Sequence, residues 1–172
     1  MSFISSSQLL ITDMNGNCVE EFNLDAKNIV PYIGECFSTH PEMTEGHRLN
    51  DVKLNRPFGI TYDGRGKVFT GLSHSRGIIA TEVANGWTYM FNHAPDVPRY
   101  LNFDVDSQKL YATLKNGLIT VNNDSVEYMV AKSTADRGSA TGPLVDTRVN
   151  HLNALIKVID GIWLLTDGKN NR

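Results

Sequence analysis

Leu54-Asn-Arg-Pro-Phe-Gly-Ile-Thr-Tyr-Asp-Gly-Arg-Gly-Lys-Val-Phe-Thr70 is the stretch on which the reading of this chain turns. Pro57 opens a strand where its missing N–H costs least, and Phe58 to Tyr62 alternate as a half-buried strand does. Asp63-Gly64-Arg65-Gly66 has the composition of a tight turn, and Lys67 to Leu72 read as the returning strand. The stretch is a β-hairpin.

The same order recurs on both sides of it. Pro98 to Asp106 leads through Ser107-Gln108-Lys109 into Leu110 to Leu114, and Asn153 to Gly161 leads into Ile162 to Asp167. At the front, Phe3 to Gln8 leads into Leu9 to Asp13. The returning strands at Leu9, Val68, Leu110 and Trp163 lie 59, 42 and 53 residues apart. Spacings of roughly 40–50 residues filled with short strands and turns fit a β-propeller blade of about four strands. Helical repeats would show apolar spacing of three and four, which is absent here. A plain β-sandwich would account for the strands but not for the repeated order.

At the level of motif the chain resembles NHL-repeat β-propellers, whose blades read roughly Pro-x-Gly-Ile, a turn with Asp and Gly, an apolar strand ending in Asp, then Asn-x-Arg. The closest matches are Arg56-Pro57-Phe58-Gly59-Ile60 and Leu165-Thr166-Asp167-Gly168-Lys169-Asn170-Asn171-Arg172. Leu10-Ile11-Thr12-Asp13-Met14-Asn15-Gly16-Asn17-Cys18 is another. The resemblance spans nearly the whole chain, although its motifs are degenerate. Leu114-Lys115-Asn116-Gly117 departs from it, so whatever the missing Asp and Asn brace must be braced otherwise there.

The expected fold is therefore all-β, a propeller segment of four-stranded antiparallel blades in an incomplete ring. Its blades are placed at about residues 1–36, 54–92, 98–131 and 152–172, with linkers at 37–53 and 132–151. About three and a half blades are accounted for, whereas propellers close with roughly four to eight. The expectation is a piece of a larger chain, with assembly of copies into one ring as the other route to closure.

Composition excludes several classes. The 172 residues are 41% hydrophobic and 20% charged, ordinary for a globular protein. A net charge of −3 gives no basic footprint for nucleic acid. No apolar run approaches the ~20 residues of a membrane helix, and Met1 to Ser7 does not read as a signal peptide.

The first repeat continues through Asn17 to Leu24 and Ile29 to Gly34, with Pro31 fitting an outer edge strand. Cys18 and Cys36 flank this pair, and they read either as a staple across the blade or as two buried free thiols. The resemblance favours the staple, because extracellular NHL-like repeats often carry Cys in these two places. A disulfide implies an oxidising compartment, extracellular or at the cell surface. Asn123-Asp124-Ser125 is a glycosylation sequon in a turn, weak support for the same location.

Asn85-Gly86 is the strongest short hairpin signal in the chain. After it Trp87, Tyr89 and Phe91 alternate on one face, either as a sugar-stacking row or as packing between blades. By resemblance, blade-to-blade loops lie on a rim where propellers bind ligands, and loops carry function more often than strands. His47 and Arg48 in the first linker, with Trp87 and Tyr89, therefore form the expected binding surface.

Catalysis has weaker support. His40, His47, His74, His93 and His151 show no close ligand spacing. Convergence of His74, His151 and Asp13 or Asp167 at the axis would be needed for a metal site. Peptide-amidating lyases pair an NHL-like propeller with a catalytic metal, but their histidine contexts have no match here. There is no Gly-x-Ser-x-Gly elbow and no phosphate loop. Asp13 and Asp167, at equivalent strand ends, are expected to hold turns by bonds to backbone N–H groups. The function expected is an extracellular binding or scaffold module for a protein or glycan, without cofactor or metal. The alternatives are a metal-dependent lyase or hydrolase, and a structural subunit of a filament or matrix whose copies complete the ring.

Overall fold

The computed structural model describes residues 1–38, 43–130, 147–159 and 162–171. The predicted Asp160-Gly161 turn, His40, Arg172 and most of the second linker lie outside them. The described residues form fifteen strands and no helix. The first sheet consists of β1 (Ser2–Phe3), β2 (Gln8–Asp13), β3 (Cys18–Asn23) and β4 (Asn28–Ile33), antiparallel and in sequence order. The short β5 (Gly46–His47) comes next in the chain but belongs to the second sheet. That sheet contains β6 (Pro57–Tyr62), β7 (Lys67–Leu72), β8 (Gly77–Glu82) and β9 (Trp87–His93), with β5 added outside β9. The third sheet runs β10 (Tyr100–Asp104), β11 (Lys109–Leu114), β12 (Gly117–Val121) and β13 (Val126–Val130). The last is the pair β14 (Leu152–Ile159) and β15 (Ile162–Asp167).

The leading strands β1, β6, β10 and β14 lie side by side in succession, each in a different sheet. This is the propeller arrangement, with one radial sheet per repeat and the first strand of each innermost. Two consecutive gaps between sheets are filled with core. Leu10, Ile33, Leu54, Leu72 and Ile79 pack between the first and second sheets. Ile78, Leu101, Leu110 and Ile119 pack between the second and third, where Phe69 lies parallel to Phe103 with ring centroids 5.9 Å apart. A third cluster, including Tyr111, Leu152 and Leu155, joins the third sheet to β14, and Trp163 packs against Tyr111 at 4.5 Å.

An innermost strand has one edge with no ladder partner, and unpaired backbone groups there are a liability. Hydroxyls of the preceding sheet meet this need. The Tyr62 N–H donates to Ser2 Oγ at 3.1 Å, and the Phe103 N–H donates to Thr61 Oγ1 at 3.2 Å. The Thr12 hydroxyl in turn donates to the Phe58 carbonyl at 2.7 Å. Gly59 permits the close approach, since a Cβ there would stand 2.9 Å from the Arg99 carbonyl oxygen and 3.0 Å from the Leu101 nitrogen.

The loops repeat as closely as the strands. Four residues beyond the ends of β2, β7 and β15, the backbone turns left-handed at Asn17, Arg76 and Asn171, with φ of 59°, 56° and 54°. One residue before β6 and β14 it does so at Arg56 and His151, with φ of 54° and 63°. Asn17 Oδ1 accepts the Arg56 N–H at 2.9 Å, tying one repeat to the next. In the third repeat, where no Asn stands in that place, the backbone carbonyl of Lys115 accepts the His151 N–H instead.

The outward side of the last pair is apolar. Ile156, Val158, Ile159, Ile162 and Leu164 are 50–59% exposed.

Candidate ligand-binding surface

The first linker is more than a connector. Its β5 pairs with the start of β9, His47 opposite Trp87. The next residue bridges two sheets through its backbone. The Arg48 N–H donates to the Gly86 carbonyl at 2.8 Å, and the Arg48 carbonyl accepts the Gly34 N–H at 2.6 Å. Gly86 has φ of 72°, in the left-handed region that favours glycine, and a Cβ there would lie 2.9 Å from His47 Nε2, so a side chain would also displace that imidazole. The Asp51 carboxylate accepts the His47 N–H at 3.0 Å and fixes the bend of the loop.

These bonds seat the Arg48 guanidinium over the Tyr32 ring, 4.0 Å from its centroid. Tyr32 is buried in the core between the first and second sheets. Burial pushes its phenol pKa up, partly offset by the cation above it. Arg48 Nε and Nη1, His47 Nδ1 and the Tyr32 hydroxyl are buried without a hydrogen-bond partner among the described residues. An unsatisfied buried polar group costs about 1–3 kcal/mol, so in this cradle the Arg48 and His47 nitrogens hold hydrogen-bonding capacity that the described residues leave unspent. Trp87, 52% exposed, pairs in the backbone with His47, and by alternation its ring shares the face of Tyr89, toward the third sheet.

Of the predicted surface residues, Arg48 lies at the outer edge between the first and second sheets, with His47 next to it in the chain, and Trp87 is joined to them through the β5–β9 pairing alone. Tyr89 does not join them. It packs with Phe91 against the core between the second and third sheets, and the Lys67 ammonium donates to its hydroxyl at 3.3 Å. Phe91 meets Phe69 edge-on at 4.9 Å, so two of the three alternating aromatic residues serve packing between sheets. Tyr32 was not singled out from the sequence. It sits in a strand, and nothing local marks it as the partner of an arginine sixteen residues further on.

Cys18 and Cys36 are joined in a disulfide. It closes the first sheet's outer loop just before the cradle's supporting residues. With Glu20 these two sulfurs are the one group of three potential metal-ligating side chains among the described residues, and a disulfide offers no thiolate. His74 and His93 are exposed. Asp13 Oδ1 accepts the N–H groups of Asn15 and Gly16 at 3.0 and 2.7 Å, a turn-holding role. Asp167 reaches further, accepting the Asn150 N–H at 2.8 Å from the loop that enters β14. Asn123 is exposed in the turn between β12 and β13, and no helix among the described residues is long and apolar enough to cross a membrane.

No protein-family model matches the chain, and no curated protein does. Solved structures do match. A streptogramin B lyase structure superposes with a TM-score of 0.63 at 14% identity, covering 96% of this chain and 46% of the lyase. An auxiliary nutrient binding protein from Bacteroides thetaiotaomicron matches with a TM-score of 0.71 at 10% identity, over 96% of this chain and 41% of that one. A nidogen/laminin complex matches with a TM-score of 0.53 at 13% identity, over 98% and 71%. The chain thus spans less than half the length of the lyase and of the nutrient binding protein. At these identities the likeness establishes the propeller fold.

Proposed function

We propose that this chain is part of an extracellular NHL-type propeller that recognises a protein or glycan ligand through its outer rim. The observation that carries this reading is the cradle of Tyr32, His47 and Arg48, whose buried donors lack hydrogen-bond partners among the described residues. The exposed Trp87, on the strand that pairs with β5, adds the rigid aromatic surface that recognition sites favour. The Cys18–Cys36 disulfide supports an oxidising compartment, and the exposed sequon at Asn123 fits the same location. A nutrient binding protein and a nidogen/laminin complex among the structural neighbours fit a binding role, and a lyase stands beside them. The domain reading of one partial propeller with blades at 1–36, 54–92, 98–131 and 152–172 belongs to the same proposal.

The test is a binding screen of the purified protein against glycans and extracellular matrix proteins, run beside elemental analysis. A ligand whose affinity falls about tenfold or more in both Arg48→Ala and Trp87→Ala supports the reading. A stoichiometric transition metal with lyase or hydrolase turnover would replace it with the enzyme reading.

One observation bears on assembly. The exposed apolar residues of β14 and β15 are what a propeller sheet shows toward its next neighbour. That face is suited to pack against a further propeller sheet, of the same chain or of a second copy. Sedimentation of the 172-residue chain separates the two sources, since only self-association raises the mass with concentration.

A further inference from the structure

We infer that the inner mouth of the arc, where Arg99, Lys115, His151 and Lys169 gather beside Asn153, is a binding site for an oxyanion, separate from the outer cradle. The four basic residues come from different segments, and the repeat geometry brings them together. The Lys115 carbonyl accepts the N–H groups of His151 and Leu152. The His151 carbonyl accepts the Gly168 N–H at 3.0 Å, and the Lys169 N–H donates to the Asn150 carbonyl at 3.1 Å. The Arg99 N–H donates to the carbonyl of Thr113 at 2.8 Å, two residues before Lys115. Arg99 Nη1 reaches Asn153 Oδ1 at 3.4 Å. Gly168 leaves room for Asn153, whose Nδ2 would lie 2.6 Å from a Cβ at that position.

The cluster carries more positive charge than the one acid beside it balances. Among the described residues Arg99, Lys115 and Lys169 form no ion pair, although the chain as a whole is acidic. The contrast is with Lys157 on the same sheet, which meets Asp104 at 2.9 Å and Asp106 at 3.0 Å. Asp167 is the acid that faces His151, and its carboxylate already accepts from the Asn150 N–H and from Asn170 Nδ2. Arg99 Nε and His151 Nδ1 are buried with no hydrogen-bond partner among the described residues. Burial holds the His151 pKa below its ordinary 6.5, and the positive charges of Arg99, Lys169 and Lys115 act in the same direction. Converging cations with spare N–H donors form what a phosphate, sulfate or carboxylate group binds, by charge-assisted hydrogen bonds.

The experiment titrates the intact chain with sodium sulfate, phosphate or acetate at ionic strength held constant with sodium chloride. It follows the His151 imidazole resonance by NMR. Saturable shifts are expected, weakened about tenfold or more in Arg99→Gln and again in Lys115→Gln, with Arg65→Gln unchanged. Saturation by sulfate and phosphate alone assigns the site to tetrahedral dianions, and saturation by acetate as well assigns it to carboxylates. Shifts that stay linear without saturating, alike for all three anions, would overturn the inference. So would saturation retained at full strength in folded Arg99→Gln and Lys115→Gln proteins.

Discussion

The Asn17 side chain accepts the Arg56 N–H at 2.9 Å through Oδ1 while its Nδ2 donates to the Ser38 carbonyl at 2.8 Å. One amide therefore holds the turn after β2, the entrance to β6 and the loop beyond the disulfide. It does so from a left-handed backbone, φ 59°, which Asn tolerates better than most residues. Adjacent sheets are joined here by a residue that belongs to neither ladder.

Replacing Asn17 should be costly for that reason. Asn17→Ala loses both bonds and keeps an unfavourable φ, for about 2–3 kcal/mol. Asn17→Gly relieves the backbone and should fall between Ala and wild type. Urea midpoints of the three proteins, at unchanged m-value, check the order.

The Cys18–Cys36 disulfide encloses a loop with a sequence separation of 18 residues. A loop of that size is worth about 3 kcal/mol in the chain-entropy treatment. Reductant should lower the wild-type unfolding midpoint accordingly and leave a Cys18→Ser/Cys36→Ser protein where it already is. The rim cradle follows this loop, so the double variant should also bind any rim ligand more weakly.

Gly59 and Gly71 mark the close approach of the second and third repeats. A Cβ at Gly71 would stand 2.8 Å from the Pro98 carbonyl oxygen, as one at Gly59 would crowd Arg99. Both obstacles are backbone and cannot swing away. Gly59→Val is expected to destabilise by at least about 1–3 kcal/mol, read from thermal unfolding. Gly66→Ala serves as a comparison, because its Cβ would meet nothing within 4 Å and any cost there comes from its φ of 113° alone.

Asp104 is buried, and burial alone would raise its pKa. The Lys157 ammonium and the Ser107 hydroxyl more than offset this and hold it below its ordinary 3.8. A carboxylate depressed on folding adds stability that is present above the ordinary value and lost as pH falls below it. Lys157→Met should therefore cost about 2 kcal/mol at neutral pH and flatten the acid side of the stability profile below about pH 4. Thermal midpoints of both proteins across that range provide the check.

Local pattern and spatial convergence were not equally readable. Pro57, the Asp63-Gly64-Arg65-Gly66 turn and Asn85-Gly86 mark hairpins because turn chemistry and alternation are written in adjacent residues. The spacing of Leu9, Val68, Leu110 and Trp163 carries the repeat for the same reason. The two-residue β5 is too short to alternate, so its addition to β9 depends on a neighbouring sheet. Arg48 over Tyr32, and Arg99 near His151, are products of how separate sheets are set around a centre. No window of sequence contains them. The row of Trp87, Tyr89 and Phe91 is legible as one face, but which member stays exposed depends on the width of the next sheet.

The most direct test of the account is a pair of nuclear Overhauser contacts, measured by NMR on labelled protein. Radially arranged sheets place Gly59 Hα against Tyr100 Hα and Gly71 Hα against the Pro98 ring, with no hydrogen-bond ladder linking β6 to β10. Observation of both contacts, with the backbone ladder of β6 running only to β7, is the expected result. Their absence, or a continuous ladder running from β6 into β10, would show that the repeats belong to one sheet and would contradict the propeller.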